Sequence, residues 1–168
     1  MLVNMTSDRA SRVVDVLDVR LLSALADEPR LGVLELARRL GVARGTVQAR
    51  LDRLQSRGVV RGFGPEIDPA SAGYAVTAFA TIEIRQGRGH DVQRHLAAIP
   101  EVLEVHTITG PGDLLCRVVA RSNADLQAIV DRVVDFEGIV RTSTVIALST
   151  PVPYRTMPLI KAAAEPTA

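Results

Sequence analysis

The stretch Glu35 to Arg61, ELARRLGVARGTVQARLDRLQSRGVVR, has the apolar spacing of two helices joined by a tight glycine turn. Val33, Leu36, Ala37 and Leu40 stand at i, i+3, i+4 and i+7, and Val47, Leu51 and Leu54 at i, i+4 and i+7, so each helix has one stripe to bury. Gly41 lies between them, where a sharp change of direction favours a positive φ, and Ala37 is small enough to allow a close crossing. The spacing predicts a helix-turn-helix whose second helix presents its outer face.

That outer face is basic. From Leu36 to Arg61 the chain carries Arg38, Arg39, Arg44, Arg50, Arg53, Arg57 and Arg61 against one acid, Asp52. Guanidinium groups are permanently charged planar forks that suit phosphates and guanine edges, so duplex DNA is the expected counterpart. The plainer alternative is a helical pair with solvated arginines, and the concentration of arginine argues against it.

Over its 168 residues the chain is 47% hydrophobic and carries a formal charge of +1, which suits a globular protein with a core. The near-neutral total hides an asymmetry: residues 1–64 hold 11 Arg against 7 acids, and the remainder 9 basic against 12 acidic residues. A basic first part and a slightly acidic second part imply different partners. Aromatic residues make up only 3%, which disfavours single-stranded nucleic acid stacked on an aromatic platform. Cys116 is the only cysteine, and MLVNMTSDR lacks the apolar segment of a signal peptide, so a cytoplasmic setting is expected. No apolar run approaches bilayer length, and no membrane role is expected.

Working outward, residues 1 to about 11 are polar and expected to fray, and a helix from Ser11 to Ala26 carries Leu17, Leu21 and Leu25 before Pro29. After the third helix Gly58 suits a C-cap, and Val59-Val60 opens an extended linker through Pro65 toward Asp68-Pro69. From Gly73 the period changes to two. Val76, Ala78, Ala80, Ile82 and Ile84 share one strand face, and Thr77, Phe79, Thr81 and Glu83 the other. A helix with Val92, Leu96 and Ile99 follows, then a strand Val102 to Thr109, the turn Gly110-Pro111-Gly112-Asp113, and a strand Leu114 to Ala120. Ser122 to Asp125 reads as a capping box for a helix with Leu126, Ile129, Val130 and Val133, and Val140 to Leu148 is the last strand.

This order is β-α-β-β-α-β, the ferredoxin-like split, with both helices on one face of four antiparallel strands. The class is therefore α+β: a winged-type helix-turn-helix domain over 12–64, a linker over 65–73, a ferredoxin-like oligomerisation domain over 74–150, and an irregular tail over 151–168. Phe79, Thr81, Leu103, Val105, Val119 and Val145 are the candidates for the uncovered sheet face, and covering it with a second copy predicts at least a homodimer.

Together the two domains resemble the Lrp/AsnC, or feast/famine, family of transcriptional regulators over Val14 to Pro151. The resemblance is carried by LDVRLL from Leu17 to Leu22, Pro29-Arg30, Glu35-Leu36-Ala37, Leu40-Gly41-Val42, Thr46-Val47, Arg50-Leu51, Arg53-Leu54, Gly58-Val59-Val60, Gly62-Phe63, Thr109-Gly110, Asp113 and Thr142-Ser143-Thr144. It implies a homodimer, often assembling to an octamer, that binds DNA and a small effector, usually an amino acid. The implied DNA reader is the helix beginning near Ala43, with Arg44, Gly45, Thr46, Gln48, Ala49, Arg50, Arg53 and Arg57 as its DNA-facing residues. With Val47 inward and about 100° per residue, Gly45, Ala49 and Arg53 point outward and Arg44 and Gln48 flank one side. Gln48 suits adenine and Arg44 guanine, while Arg53 and Arg57 suit phosphates. The implied effector site is Thr109, Gly110, Pro111, Gly112 and Asp113, with Thr142 and Thr144 lining it.

Two positions depart from the family pattern. Ala43 stands where many members have a capping serine, and Gly112 where a bulky residue often precedes the aspartate. His90, His95 and His106 lack metal-ligand spacing, and neither a nucleophile elbow nor a phosphate loop or dinucleotide fingerprint occurs, so no metal, cofactor or catalytic residue is expected. Two alternatives share the architecture: a tetrapyrrole-binding decarboxylase-like enzyme and an architectural DNA binder without effector.

Overall fold

A computed structural model describes residues 14–164, and these fall into two units, residues 66–152 forming one and the segments before and after them the other. The expected fraying of the first residues lies outside the described part. In the first unit, helix α1 (Val16–Asp27) starts later than the apolar spacing suggests, because Asp15 caps it. The Asp15 carboxylate accepts from the Asp18 N–H at 2.9 Å and the Asp18 carboxylate accepts from the Asp15 N–H at 3.0 Å, a reciprocal box that satisfies two otherwise unpaired donors. Helix α2 (Val33–Leu40) ends at Gly41, whose φ of 69° is the left-handed conformation the turn requires. Helix α3 (Arg44–Ser56) follows, and Ala43 gives it no side-chain cap. The two predicted stripes, Leu36, Ala37 and Leu40 with Val47, Leu51 and Leu54, bury against Leu21 of α1. Beyond α3 the N–H groups of Val59 and Val60 both donate to the Leu54 carbonyl, which ties the start of the linker to the end of the helix.

The second unit is a four-stranded antiparallel sheet ordered β2-β3-β1-β4, built from β1 (Val76–Ile84), β2 (Val102–Thr107), β3 (Leu114–Ala120) and β4 (Ile139–Ala147). Helices α4 (Gly89–Ala97) and α5 (Asn123–Val134) cover one face, where Ala78, Ala80 and Ile82 meet Val92, Leu96, Ile129 and Val133. Ser122 caps α5 by accepting from the Asp125 N–H at 3.1 Å. The split β-α-β-β-α-β arrangement read from the sequence is the arrangement observed.

Cross-strand partners share a face, so the register fixes the other side of the sheet. Phe79 pairs with Val145, Thr81 with Ser143 and Thr77 with Val119, and these residues all lie away from the helices. Phe79 and Val145 are exposed there, whereas Val119 is buried. Val105 does not belong to that face. A β-bulge between Val102 and Glu104 inserts one residue, pairs Val105 with Cys116 and turns it toward the helix core, leaving Leu103 exposed in the bulge. The bulge reverses which neighbours share a face, a change that alternation cannot reveal.

The expected irregular tail is also corrected. After an extended stretch, Met157–Ala164 forms helix α6, which packs on α1, and Ile160 joins the first unit's core. Pro158 is accommodated because it sits in the first turn, where no intrahelical N–H is needed.

Candidate nucleic-acid interface and effector turn

Val47, Leu51 and Leu54 hold α3 down, and Arg44, Gly45, Thr46, Gln48 and Ala49 are left exposed along its first two turns. The Gln48 amide donates to the carboxylate of Asp52, one turn further along the same helix, at 2.8 Å. Arg57 is exposed just past the helix, and Arg61 further on. Among the described residues Arg44, Arg57 and Arg61 have no acidic partner within ion-pair distance.

Arg50 and Arg53 are placed differently from the expectation that both face DNA. Arg50 Nη1 lies 2.7 Å from Asp15 Oδ2 and 2.8 Å from Asp18 Oδ1, and Arg53 Nη2 bonds Asp18 Oδ2. The Asp18 carboxylate has no solvent exposure. On the helical wheel these two arginines occupy the flank of α3 that meets α1, and a wheel built from α3 alone cannot say which flank that is. Their acids lie 32 to 35 residues upstream, outside the segment whose charges suggested a free basic surface. Both remain partly accessible, Arg53 more than Arg50, and line a shallow depression with Gly45, Thr46 and Ala49.

Arg38 and Arg39 are also neutralised within the domain. Glu35 pairs with both, at 2.8 and 3.1 Å, and Arg39 additionally reaches Glu28 at 2.6 Å. Hydrogen bonds from Arg38 and then Arg39 hold the Glu35 carboxyl down to about 2. At Asp15, burial pushes the carboxyl up, but the Arg50 guanidinium and the Asp18 and Leu17 N–H groups more than offset this and leave it below its ordinary value of 3.8.

The proposed effector turn closes between β2 and β3. The Ile108 N–H donates to the Asp113 carbonyl at 3.0 Å, one residue beyond the end of β2 at Thr107, and closes the base of the turn. The Asp113 N–H donates to the Ile82 carbonyl at 2.9 Å, and its Oδ2 accepts from the Ile84 N–H at 2.7 Å, so the aspartate latches the turn onto β1. Gly112 has φ 150°, and a Cβ there would come within 2.4 Å of Thr81 Cγ2. The glycine that departs from the family pattern is therefore what lets the turn lie against β1. Thr109, Gly110 and Pro111 are exposed. Thr142 and Thr144 pair with Ile82 and Ala80 across β1, on the helix-covered face, and Thr142 Oγ1 is buried without a hydrogen-bond partner. The structure thus gathers Thr109 to Asp113 at one strand end, with Thr142 and Thr144 on the other side of β1.

A helix-turn-helix joined to a β-α-β-β-α-β domain with a latched surface turn defines a two-domain transcriptional regulator. Residues 14–61 match the winged helix-turn-helix DNA-binding family, and residues 77–157 match the Lrp/AsnC ligand binding domain. An HTH-type transcriptional regulator of Pyrococcus furiosus is 32% identical over 135 residues, covering 80% of this chain and 91% of the relative. AldR of Mycolicibacterium smegmatis, also an HTH-type transcriptional regulator, is 34% identical over 126 residues, covering 73% and 74%. Among solved structures, E. coli AsnC superposes with a TM-score of 0.79 at 27% identity, covering 86% of this chain and 99% of that one. The feast or famine regulatory protein of M. tuberculosis, solved with L-methionine, gives 0.72 at 30% identity, covering 83% and 95%. The chain belongs to the Lrp/AsnC family of transcriptional regulators.

Removing the buried carboxylate tests the central geometry. Asp18→Ala takes the acid from Arg53, leaves Arg50 with Asp15 alone and opens the capping box of α1, which costs about 2 kcal/mol and lowers the urea midpoint of the first unit. Because the Asp15 carboxyl is held below 3.8 in the folded state, its stabilising contribution is complete above that pH and fades as the pH falls through the folded value. An Asp18→Ala midpoint equal to wild type at pH 7 would contradict this placement.

Proposed function

We propose that this regulator binds paired half-sites in duplex DNA as a homodimer, with α3 in the major groove, and that an amino acid bound at the Thr109 to Asp113 turn controls it in the cytoplasm. The observation that carries the DNA part is the exposed face of α3. Arg44 and Gln48 stand on it as donors matched to guanine and adenine edges, and Arg57 and Arg61 beyond it suit phosphates. Arg50 and Arg53, held by Asp15 and Asp18, orient the helix, and Arg53, the more exposed of the two, is the better placed to add a phosphate contact.

Salt dependence separates these roles. Arg57→Ala should lower the slope of log affinity against log salt by about one, while Arg44→Ala should reduce the preference for target over scrambled duplex by about 1–3 kcal/mol. Equal discrimination by wild type and Arg44→Ala in fluorescence anisotropy titrations would reject the base-reading role.

Dimerisation follows from the sheet face that carries Phe79 and Val145, which no element of the second unit covers. Apolar surface of this kind is stabilised when a second copy stacks on it, and further assembly to an octamer fits the same domain. Light scattering at micromolar concentration should give at least twice the chain mass, with Phe79→Glu shifting it toward the monomer. A monomeric wild type would remove the dimer.

The amino-acid reading is supported by the L-methionine complex of the M. tuberculosis relative and by the chemistry of the turn. Asp113 Oδ1 and the exposed backbone of Gly110 offer partners for an ammonium and a carboxylate. Asp113→Asn keeps an acceptor for the Ile84 N–H while removing the charge, so the latch survives. In a thermal-shift screen of amino acids that begins with L-methionine, the stabilisation shown by wild type should vanish in Asp113→Asn. An unchanged response would move the effector elsewhere.

A further inference from the structure

Helix α1 carries two apolar stripes. One, with Leu17 and Leu21, faces the helix-turn-helix core, and the second, Val16 and Val19 with the small Ala24, lines a groove of about 720 Å3 whose other walls include Leu40 and Lys161. Helix α6 runs beside this groove. Its Ile160 is half-buried against the core, whereas Leu159 on its outer side is 70% exposed. The tail is therefore an amphipathic segment whose apolar side is already spent on α1.

Its connectivity gives that contact a consequence. Thr77 near the start of β1 pairs with Ala147 at the end of β4, so the chain enters and leaves the sheet at neighbouring points. The entering segment comes from the end of α3 and the leaving segment leads to α6. Both tethers of the sheet thus end on the DNA-binding unit. Within that unit α1 is the element on which α6 rests, and Asp18 of α1 is the group that holds Arg50 and Arg53 of α3.

We propose that α6 is a strap: docked on α1, it holds α1 and, through Asp18, the reading helix α3 in the DNA-competent arrangement. The strap rests on the DNA-reading role of α3, yet its mechanical part can be read without DNA. Ile160→Glu withdraws the apolar contact, Ile160→Ala weakens it by degrees, and Lys161→Gln removes the charge on the same helix.

Hydrogen exchange on the full chain gives the first readout. Amides of α1 and α3 should exchange faster in Ile160→Glu, and to a smaller extent in Ile160→Ala, while the sheet keeps its wild-type protection. The second readout is duplex affinity, expected to fall about tenfold in Ile160→Glu with an unchanged salt slope and to stay at the wild-type level in Lys161→Gln. Wild-type exchange in α1 and α3 of Ile160→Glu overturns the strap. So does a loss of affinity reproduced by Lys161→Gln with a slope lower by about one, since α6 would then be a phosphate contact. A wild-type chain that does not prefer any duplex refutes the reading role of α3 instead, and the exchange data still decide whether α6 holds α1.

Discussion

The DNA-binding unit depends on one buried carboxylate. Asp18 has no solvent exposure, and an ionised group in that position persists only when its oxygens are fully engaged. One oxygen closes the capping box of α1 and also meets Arg53, and the other meets Arg50. A single charge centre therefore starts one helix and fixes the rotation of another. Apolar burial alone specifies that rotation poorly, because α3 contributes only Val47, Leu51 and Leu54 and lacks a side-chain N-cap. Such a network adds little net stability over an apolar replacement, but its directionality selects one seating of α3.

The same network divides the arginines into two populations. Arg38, Arg39, Arg50 and Arg53 are paired with acids of the same unit, and Arg44, Arg57 and Arg61 lack such partners among the described residues. The effective positive surface is thus smaller than the sequence count and concentrated toward the two ends of α3. An arginine already held by carboxylates gains less from a phosphate, since it must give up a charge-assisted bond to form the new one. Under the proposed DNA-reading role of α3, register would rest on a few contacts at the helix ends and base reading on the polar residues between them.

Much of the fold was legible because it rests on periodicity. Leu36, Leu40, Val47 and Leu54 announce two helices, and the alternation from Val76 to Ile84 announces β1 with its faces in the right order. What escaped depends on contacts remote in sequence. The flank of α3 that meets α1 is set by Asp15 and Asp18, so Arg50 and Arg53 read as free. Val105 was assigned to the open face because a bulge leaves no trace in an alternating pattern. The tail read as irregular because Pro153 and Pro158 interrupt it. Yet the segment from Met157 forms a helix that packs on α1, and its Ile160 reaches the first unit's core, a contact with residues more than a hundred positions upstream.

The effector turn shows how a glycine and an aspartate divide one task. Without a side chain at Gly112 the turn lies close against Thr81 and Ile82, and only from there can Asp113 reach the Ile84 N–H. That bond uses Oδ2, so Oδ1 and the neighbouring exposed backbone are the groups left open to the proposed effector. Leu114, Ile82 and Thr142 form one row across β3, β1 and β4, which puts a full strand between the turn and the unpartnered Thr142 hydroxyl. A ligand touching both would have to span the end of β1 and enter the face that the helices cover. Within a single chain the turn, with Asp113 as its only charged group, and the Thr142 and Thr144 side chains therefore do not converge on one space, and the proposed amino-acid role rests on the turn alone.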